Sequence, residues 1–142
     1  MTAKPRLFLQ FAGQGMKYMD ELRRLYQSVP AIQPFIDEAI AAIKGELSQY
    51  DDSDGGFYKD GLAVDEWLKN PEKTPGFPYL LSSPISHCLI YLTQISNYFA
   101  LLEEGMDHQA LQQHVHTVTG FSTGIMAAVL CALDVPKDQL YK

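Results

Sequence analysis

The pattern of apolar and polar positions predicts two short strands, each followed by a turn and a helix. Residues 8–11 are mostly apolar, and residues 115–119 are rich in β-branched side chains, as is typical of strands. The first strand runs into a glycine-containing turn and a helical pattern over residues 17–27. The second strand also runs into a glycine-containing turn, and the apolar run 125–130 then forms the second helical pattern. Two strand-turn-helix units predict an α/β fold with parallel strands.

Further helices are predicted between these two units. Residues 31–44 repeat apolar side chains at the i, i+3, i+4, i+7 spacing of an amphipathic helix, and residues 65–68 suggest a short helix closed by Pro71. Residues 51–56 have the composition of a surface loop, and residues 75–78 that of a turn-rich connector.

A long buried helix is expected to begin near Pro84. Ser82 or Ser83 can cap it, and apolar residues recur on one face as far as Leu102. By contrast, Arg23 and Arg24 fall on a charged helix face, where we expect both side chains to be solvated.

The second turn carries a motif that indicates a catalytic function. Gly120-Phe121-Ser122-Thr123-Gly124 is a G-x-S-x-G sequence between a predicted strand and a predicted helix, which is the context of a nucleophile elbow. The sharp turn exposes the serine hydroxyl at a helix N-terminus, where developing negative charge is favoured. Ser122 is therefore the candidate nucleophile. We expect the long central helix to pack beneath or beside this elbow.

The first turn offers a second part of such a site. Gly13-Gln14-Gly15 follows one residue after the first strand. Serine acyl-transfer enzymes need one N–H from the residue after the nucleophile and another from a separate loop near the strand ends. The backbone N–H groups of Thr123 and Gln14 could supply this pair. The alternative for the Gly-Gln-Gly sequence is a plain tight turn.

Together, Phe11-Ala12-Gly13-Gln14-Gly15 and Gly120-Phe121-Ser122-Thr123-Gly124 resemble the signature of the acyl-CoA:acyl-carrier-protein transacylases. With residues 80–94, the chain is similar to the acetyl-transferase region of fungal-type fatty acid synthases and to starter-unit domains of polyketide synthases. Phe121 and Ile125 stand where other branches carry His and Glu, and both departures favour the starter-unit or acetyl branch. Starter-unit domains often use Cys as nucleophile, where this chain has Ser122.

The resemblance implies the chemistry and the partners. Ser122 would take an acyl group from acyl-CoA and pass it to the phosphopantetheine thiol of an acyl carrier protein, with no bound cofactor. It also implies that Gly13, Gly15, Phe121 and Gln94 contribute to substrate binding. For Gln94 the alternative is a glutamine that satisfies a neighbouring polar group.

The same resemblance implies that residues 1–142 form the N-terminal part of a single α/β-hydrolase-like acyltransferase domain. In the family a His general base and the Arg that holds a malonyl carboxylate lie downstream of the elbow, whereas all four histidines here precede it. A two-stranded sheet is also marginal in water. We therefore expect a second polypeptide or a further segment to complete the fold.

Composition sets broad limits on function. Hydrophobic residues make up 46%, charged residues 20%, and the net charge is −6, as in ordinary globular chains and unlike nucleic-acid binders. The apolar stretch 85–102 is interrupted by polar residues, so a core helix is favoured over a membrane span. Cys88 and Cys131 lie in apolar helical patterns without metal or redox spacing, which favours reduced thiols and a cytoplasmic location.

Two other interpretations stay open at this point. One is an α/β-hydrolase esterase or thioesterase that uses the same elbow with water as the acceptor. The other is a non-catalytic half-domain that acts as an interaction module. No metal site is expected: His114 and His116 alternate on the second strand but lack supporting ligands.

Overall fold

The computed structural model describes residues 6–49, 58–133 and 135–140. Both predicted strands are confirmed. β1 is Leu7–Phe11 and β2 is Val115–Gly120. They pair in parallel, with Leu7 opposite Val115 and Phe11 opposite Gly120, and within the described residues they form a two-stranded sheet. The predicted α/β class therefore holds, while the predicted loop at residues 51–56 lies outside the described residues.

Seven helices and three short 3-10 turns are described around this sheet. The helices are α1 (Tyr18–Ser28), α2 (Gln33–Leu47), α3 (Val64–Lys69), α4 (Phe77–Leu80), α5 (Ser83–Glu103), α6 (His108–Gln112) and α7 (Gly124–Cys131). The 3-10 turns are Pro30–Ile32, Pro71–Lys73 and Lys137–Gln139. None of the helices in the described ranges is both long and apolar enough to cross a membrane.

Helix α5 is the centre of the hydrophobic core. Its predicted apolar face is buried along its whole length, from Ile85 to Leu102. It packs against α1, α2 and α7, and α7 packs in turn against both strands. The expected contact between the long helix and the elbow helix is thus confirmed, and a rigid buried element supports the turn that carries Ser122.

The N-terminus of α5 differs from the prediction in its cap. Ser82 occupies the capping position, but its hydroxyl donates to the carbonyl oxygen of Tyr79 at 2.7 Å and makes no bond to the helix N–H groups. The cause is α4, which occupies part of the predicted connector and places its terminal carbonyls beside Ser82. Helix α4 therefore leads almost directly into α5.

The expectation for Arg23 was wrong. Its side chain is only 14% exposed. The guanidinium donates to the carbonyl oxygen of Trp67 at 3.0 and 3.2 Å and to Thr74 Oγ1 at 2.9 Å. Arg23 thus ties α1 to the end of α3, because a guanidinium has enough donors to satisfy several acceptors at once. Arg24 remains on the surface, paired with Glu21 at 2.8 Å.

Helix α6 was not predicted. Asp107 caps it by accepting a hydrogen bond from the N–H of Ala110 at 2.9 Å. Its buried His108 lies between the hydroxyl of Tyr98, 2.6 Å from Nδ1, and the carbonyl oxygen of Leu133, 3.1 Å from Nε2. Gln112 donates to the carbonyl oxygen of Cys131. Two side chains of α6 therefore satisfy carbonyls at the C-terminal end of α7.

Candidate active site

Ser122 lies in the sharp turn between β2 and α7. Its φ is 54°, and it is the one non-glycine residue with a positive φ in the described part of the chain. For a residue with a side chain this left-handed conformation costs on the order of 1–3 kcal/mol, so it persists only where the surroundings impose it. The side chain is exposed at the N-terminus of α7. This is the geometry expected of a nucleophile elbow.

The two elbow glycines explain how this turn can pack so tightly. A Cβ on Gly120 would lie 2.3 Å from the carbonyl oxygen of Gly124, and a Cβ on Gly124 would lie 2.3 Å from the carbonyl oxygen of Phe11. Both contacts are with backbone, which cannot swing aside. The N–H of Phe121 also donates to the carbonyl oxygen of Phe11 at 3.0 Å. The start of α7 is therefore pressed directly onto the end of β1.

The Gly-Gln-Gly loop lies against the elbow. A Cβ on Gly13 would be 2.8 Å from Ser122 Cβ and 3.0 Å from the carbonyl oxygen of Phe121. Only glycine allows the loop to approach the serine so closely. Gly15 lies further out, exposed and with a φ of 117°, where the loop turns towards α1. Phe121 is 78% exposed beside the same loop.

Two backbone donors in this region remain available. Within the described ranges, neither the N–H of Gln14 nor the N–H of Thr123 donates to a protein acceptor. Thr123 precedes the first residue of α7, so its N–H belongs to the unpaired donors of a helix N-terminus. Such donors, together with the positive end of the helix dipole, stabilise an anion placed beside Ser122.

Hydrogen bonds of the Gln14 and Gln94 side chains fix the Gly-Gln-Gly loop to its surroundings. Gln14 Nε2 donates to Ser86 Oγ at 2.9 Å and to the carbonyl oxygen of Leu81. Gln94 Nε2 donates to the carbonyl oxygen of Ala12, the residue before Gly13. Gln94 thus satisfies a neighbouring polar group, which was the alternative interpretation of this residue. Its role in substrate binding remains a prediction.

None of the four histidines is hydrogen-bonded to Ser122. His108 is buried against Tyr98 and Leu133, and His87 is exposed on α5. His116 makes an edge contact with Phe8, at 5.6 Å between ring centroids, and His114 Nδ1 is buried without a partner in the described residues. Among the described residues, no histidine therefore shares a hydrogen bond with Ser122, and the position of the base remains a prediction.

The two cysteines do not compete with Ser122 as nucleophiles. Cys131 is fully buried in α7, and burial raises the pKa of its thiol to about 12. Burial also raises the pKa of Cys88, whose Sγ lies 3.0 Å from the carbonyl oxygen of Pro84. The thiolate is the reactive form of cysteine, and a raised pKa lowers the fraction of thiolate near neutral pH.

A cavity opens next to the Gly-Gln-Gly loop, between the start of α1 and residues 74–80. Its volume is about 210 Å³, and Met16, Lys17 and Phe77 are among the residues that line it. Pockets for drug-sized ligands typically span about 300–1,000 Å³, so this cavity by itself is too small for acyl-CoA. Among the described residues, no group of three or more His, Cys, Asp or Glu side chains could hold a metal ion.

Comparison of the sequence with known protein families gives a match over nearly the whole chain. A family model described as "Starter unit:ACP transacylase in aflatoxin biosynthesis" covers residues 9–141, which includes both the loop and the elbow. The chain belongs to this starter-unit transacylase family. The resemblance expected from the sequence motifs is thereby confirmed.

The family assignment agrees with the curated relatives, which are fungal fatty acid synthases or their beta subunits. The chain is 33% identical over 132 residues to the fatty acid synthase beta subunit TOXC of Cochliobolus carbonum, covering 90% of the chain and 6% of that protein. It is 35% identical over 139 residues to fatty acid synthase 2 of Mycosarcoma maydis, covering 93% and 4%. It is 34% identical over 128 residues to the fatty acid synthase beta subunit aflB of Emericella nidulans, covering 86% and 6%. The chain thus spans a small part of each relative.

Three residues have contacts with the loop that the sequence did not predict. Leu81 and Ser86 receive the Gln14 side chain, and Ala12 presents its carbonyl to Gln94. The available signal was the series of polar residues inside the apolar α5 pattern, where Ser86 is fully buried. A buried hydroxyl requires a hydrogen-bond partner, but the sequence does not say which one.

Proposed function

We propose that this chain supplies the nucleophile and the oxyanion loop of an acyltransferase. The enzyme would move a starter-type or acetyl group from acyl-CoA to the phosphopantetheine thiol of an acyl carrier protein, in fatty acid or polyketide biosynthesis. One observation carries the proposal: Gly13 packs onto Ser122, which has a left-handed φ at the N-terminus of α7. Membership of the starter-unit transacylase family supports the same chemistry.

In the first half-reaction, Ser122 Oγ attacks the thioester carbonyl of acyl-CoA while a base removes the hydroxyl proton. The carbonyl oxygen becomes an oxyanion, and the N–H groups of Gln14 and Thr123 donate to it. The C–S bond then breaks, the protonated base gives its proton to the leaving CoA sulfur, and Ser122 carries the acyl ester. In the second half-reaction the base takes the proton of the phosphopantetheine thiol as that sulfur attacks the ester, the bond between Ser122 Oγ and the acyl carbon breaks, and the base returns the proton to Ser122.

We further propose that another segment completes this domain and provides the base. Two features of the described residues support it. One face of the elbow region is apolar and exposed to solvent. It consists of Phe121, Ile125, Met126 and Val129, whose exposed fractions are 78%, 54%, 59% and 58%. The parallel sheet has two strands, and parallel sheets are normally covered on both faces. Contiguous exposed apolar residues mark a contact surface, and here they adjoin the nucleophile.

Mass spectrometry of the full-length protein that carries this chain tests the proposal. The protein is mixed with a panel of acyl-CoAs and then with phosphopantetheinylated carrier protein. We expect an acyl adduct on Ser122 that passes to the carrier thiol, and no adduct on Ser122→Ala, which removes only one oxygen from an exposed position. Retained acyl transfer by Ser122→Ala would refute Ser122 as the nucleophile.

The same experiment separates the alternatives. Release of free acid in the presence of carrier protein would identify an esterase or thioesterase. A folded full-length protein that forms no adduct with any acyl-CoA would identify a non-catalytic interaction module. Either result would overturn the acyl-transfer proposal.

A further inference from the structure

The carbonyl of Ala12 is held on two sides. On one side lies α7, since a Cβ on Gly124 would be 2.7 Å from this oxygen. On the other side, Gln94 Nε2 donates a hydrogen bond to it from the middle of α5. The peptide between Ala12 and Gly13 leads directly to the N–H of Gln14. The orientation of that peptide therefore depends on a side chain that is 82 residues away in sequence.

The orientation of the Gln94 amide is fixed by this contact. Its Oε1 is buried and has no hydrogen-bond partner in the described residues. If the amide were flipped, two acceptor oxygens would face each other, because a backbone carbonyl can only accept. The amide therefore presents its donor to Ala12. A donor at this position is needed, and a side chain of the same shape without one would leave the carbonyl unsatisfied.

A second anchor fixes the other end of the loop. The Gln14 side chain donates to Ser86 Oγ in the first turn of α5 at 2.9 Å and to the carbonyl oxygen of Leu81, which lies just before α5. Ser86 is fully buried. The loop between the two anchors contains Gly13, in contact with Ser122. Helix α5 thus holds the loop on both sides of the point where it meets the serine.

We infer that Gln94 is a positioning residue. By donating a hydrogen bond to the carbonyl oxygen of Ala12, it holds the N–H of Gln14 in place beside Ser122. This inference rests on the proposed acyl transfer. In this role Gln94 acts through the backbone of Ala12 and not through contact with the acyl group. Its loss would move an oxyanion donor, so it would slow the chemical step and leave the binding of acyl-CoA largely unchanged.

Two substitutions in the full-length protein test the donor. Gln94→Met keeps the length and volume of the side chain and removes the donor. Gln94→Glu also removes it while the carboxylate is ionised, but a protonated glutamic acid can donate again. Because misplacing a catalytic group by about 1 Å costs about 100-fold, we expect kcat to fall about 10- to 100-fold in both variants. The KM for acyl-CoA should change less than about twofold.

The pH profile provides a readout that a purely structural role would not change. The ratio of Gln94→Glu to wild-type kcat should rise as the pH falls from about 8 to about 5, because the acid becomes a donor when protonated. The same ratio for Gln94→Met should stay flat. Gln33→Glu is the matched control, since Gln33 Nε2 also donates to a backbone carbonyl, that of Tyr26, at 2.7 Å in the α1–α2 turn. Its kcat should equal that of the wild type.

Each outcome decides the inference. Wild-type kcat for folded Gln94→Met would overturn the donor role. A raised KM with unchanged kcat would overturn positioning and indicate direct substrate contact instead. Activity retained by Ser122→Ala in the same assay would reject the proposed function itself. Loss of activity in Ser122→Ala together with wild-type activity in both Gln94 variants would reject the positioning role alone.

Discussion

Replacing Gly13 with alanine tests the contact between the loop and the nucleophile most directly. The added Cβ would lie 2.8 Å from Ser122 Cβ. Non-bonded carbon atoms prefer about 3.5–4.0 Å, so loop and elbow must separate by about 1 Å. Phe121 blocks a sideways escape, because its carbonyl oxygen would be 3.0 Å from the new methyl group. The separation would draw the N–H of Gln14 away from the oxyanion.

The expected result is a slow enzyme that still folds. A displacement of about 1 Å costs about 100-fold in rate, which corresponds to about 2.7 kcal/mol in the activation free energy. The strain of the added methyl group should lower the free energy of unfolding by about 1–3 kcal/mol. Rapid-quench measurement of acyl-enzyme formation by the full-length protein gives the first quantity, and urea unfolding gives the second.

Gly45→Ala serves as the control for this substitution. Gly45 lies in α2 with no heavy atom within 4 Å of an added Cβ, so alanine should leave the rate unchanged and stabilise the helix by about 1 kcal/mol. If Gly13→Ala forms its acyl-enzyme within about threefold of the wild-type rate, the loop does not position the oxyanion donor.

Two further predictions concern α7. Gly124→Ala should lower the free energy of unfolding by about 3 kcal/mol or more, because its Cβ would be 2.3 Å from the Phe11 carbonyl oxygen; a loss below about 0.5 kcal/mol in urea unfolding would contradict this packing. Cys131, whose pKa burial raises to about 12, should resist iodoacetamide at pH 8 until the protein is denatured, and equal rates in both states would contradict its burial. The folded-state pKa of the Cys131 thiol lies above the ordinary 9.0. The protonated thiol therefore contributes stability to the fold below about pH 9, and this contribution should be lost as the pH rises from about 9 to about 12.

The local patterns of the chain were sufficient to predict much of the fold. The apolar face of α5 was predicted correctly because a helix with one buried face repeats large apolar side chains at helical spacing. The elbow was predictable because few sequences satisfy both the tight turn and the adjoining strand and helix. Helix α6 is only five residues long, so it has too few periodic positions to be recognised.

Contacts between distant segments could not be predicted in the same way. Arg23 was expected in solvent, because nothing in its own helix indicates that the carbonyl of Trp67 lies within reach. The same applies to Gln94, whose partner Ala12 comes from the other end of the chain. In both cases the decisive acceptor is a backbone carbonyl, and every residue has one. Only the folded structure selects the carbonyl that needs a donor.

The pairing of β1 with β2 also has a consequence for the order of folding. Leu7 pairs with Val115, so the two strands can meet only when a long loop of chain closes between them. Closing such a loop has an entropic cost, and non-local pairings of this kind form slowly. During synthesis the loop emerges long before the elbow does. On the proposed mechanism, a nascent or partly folded chain can therefore carry Ser122 without an oxyanion site, and it would not consume acyl-CoA before its fold is complete.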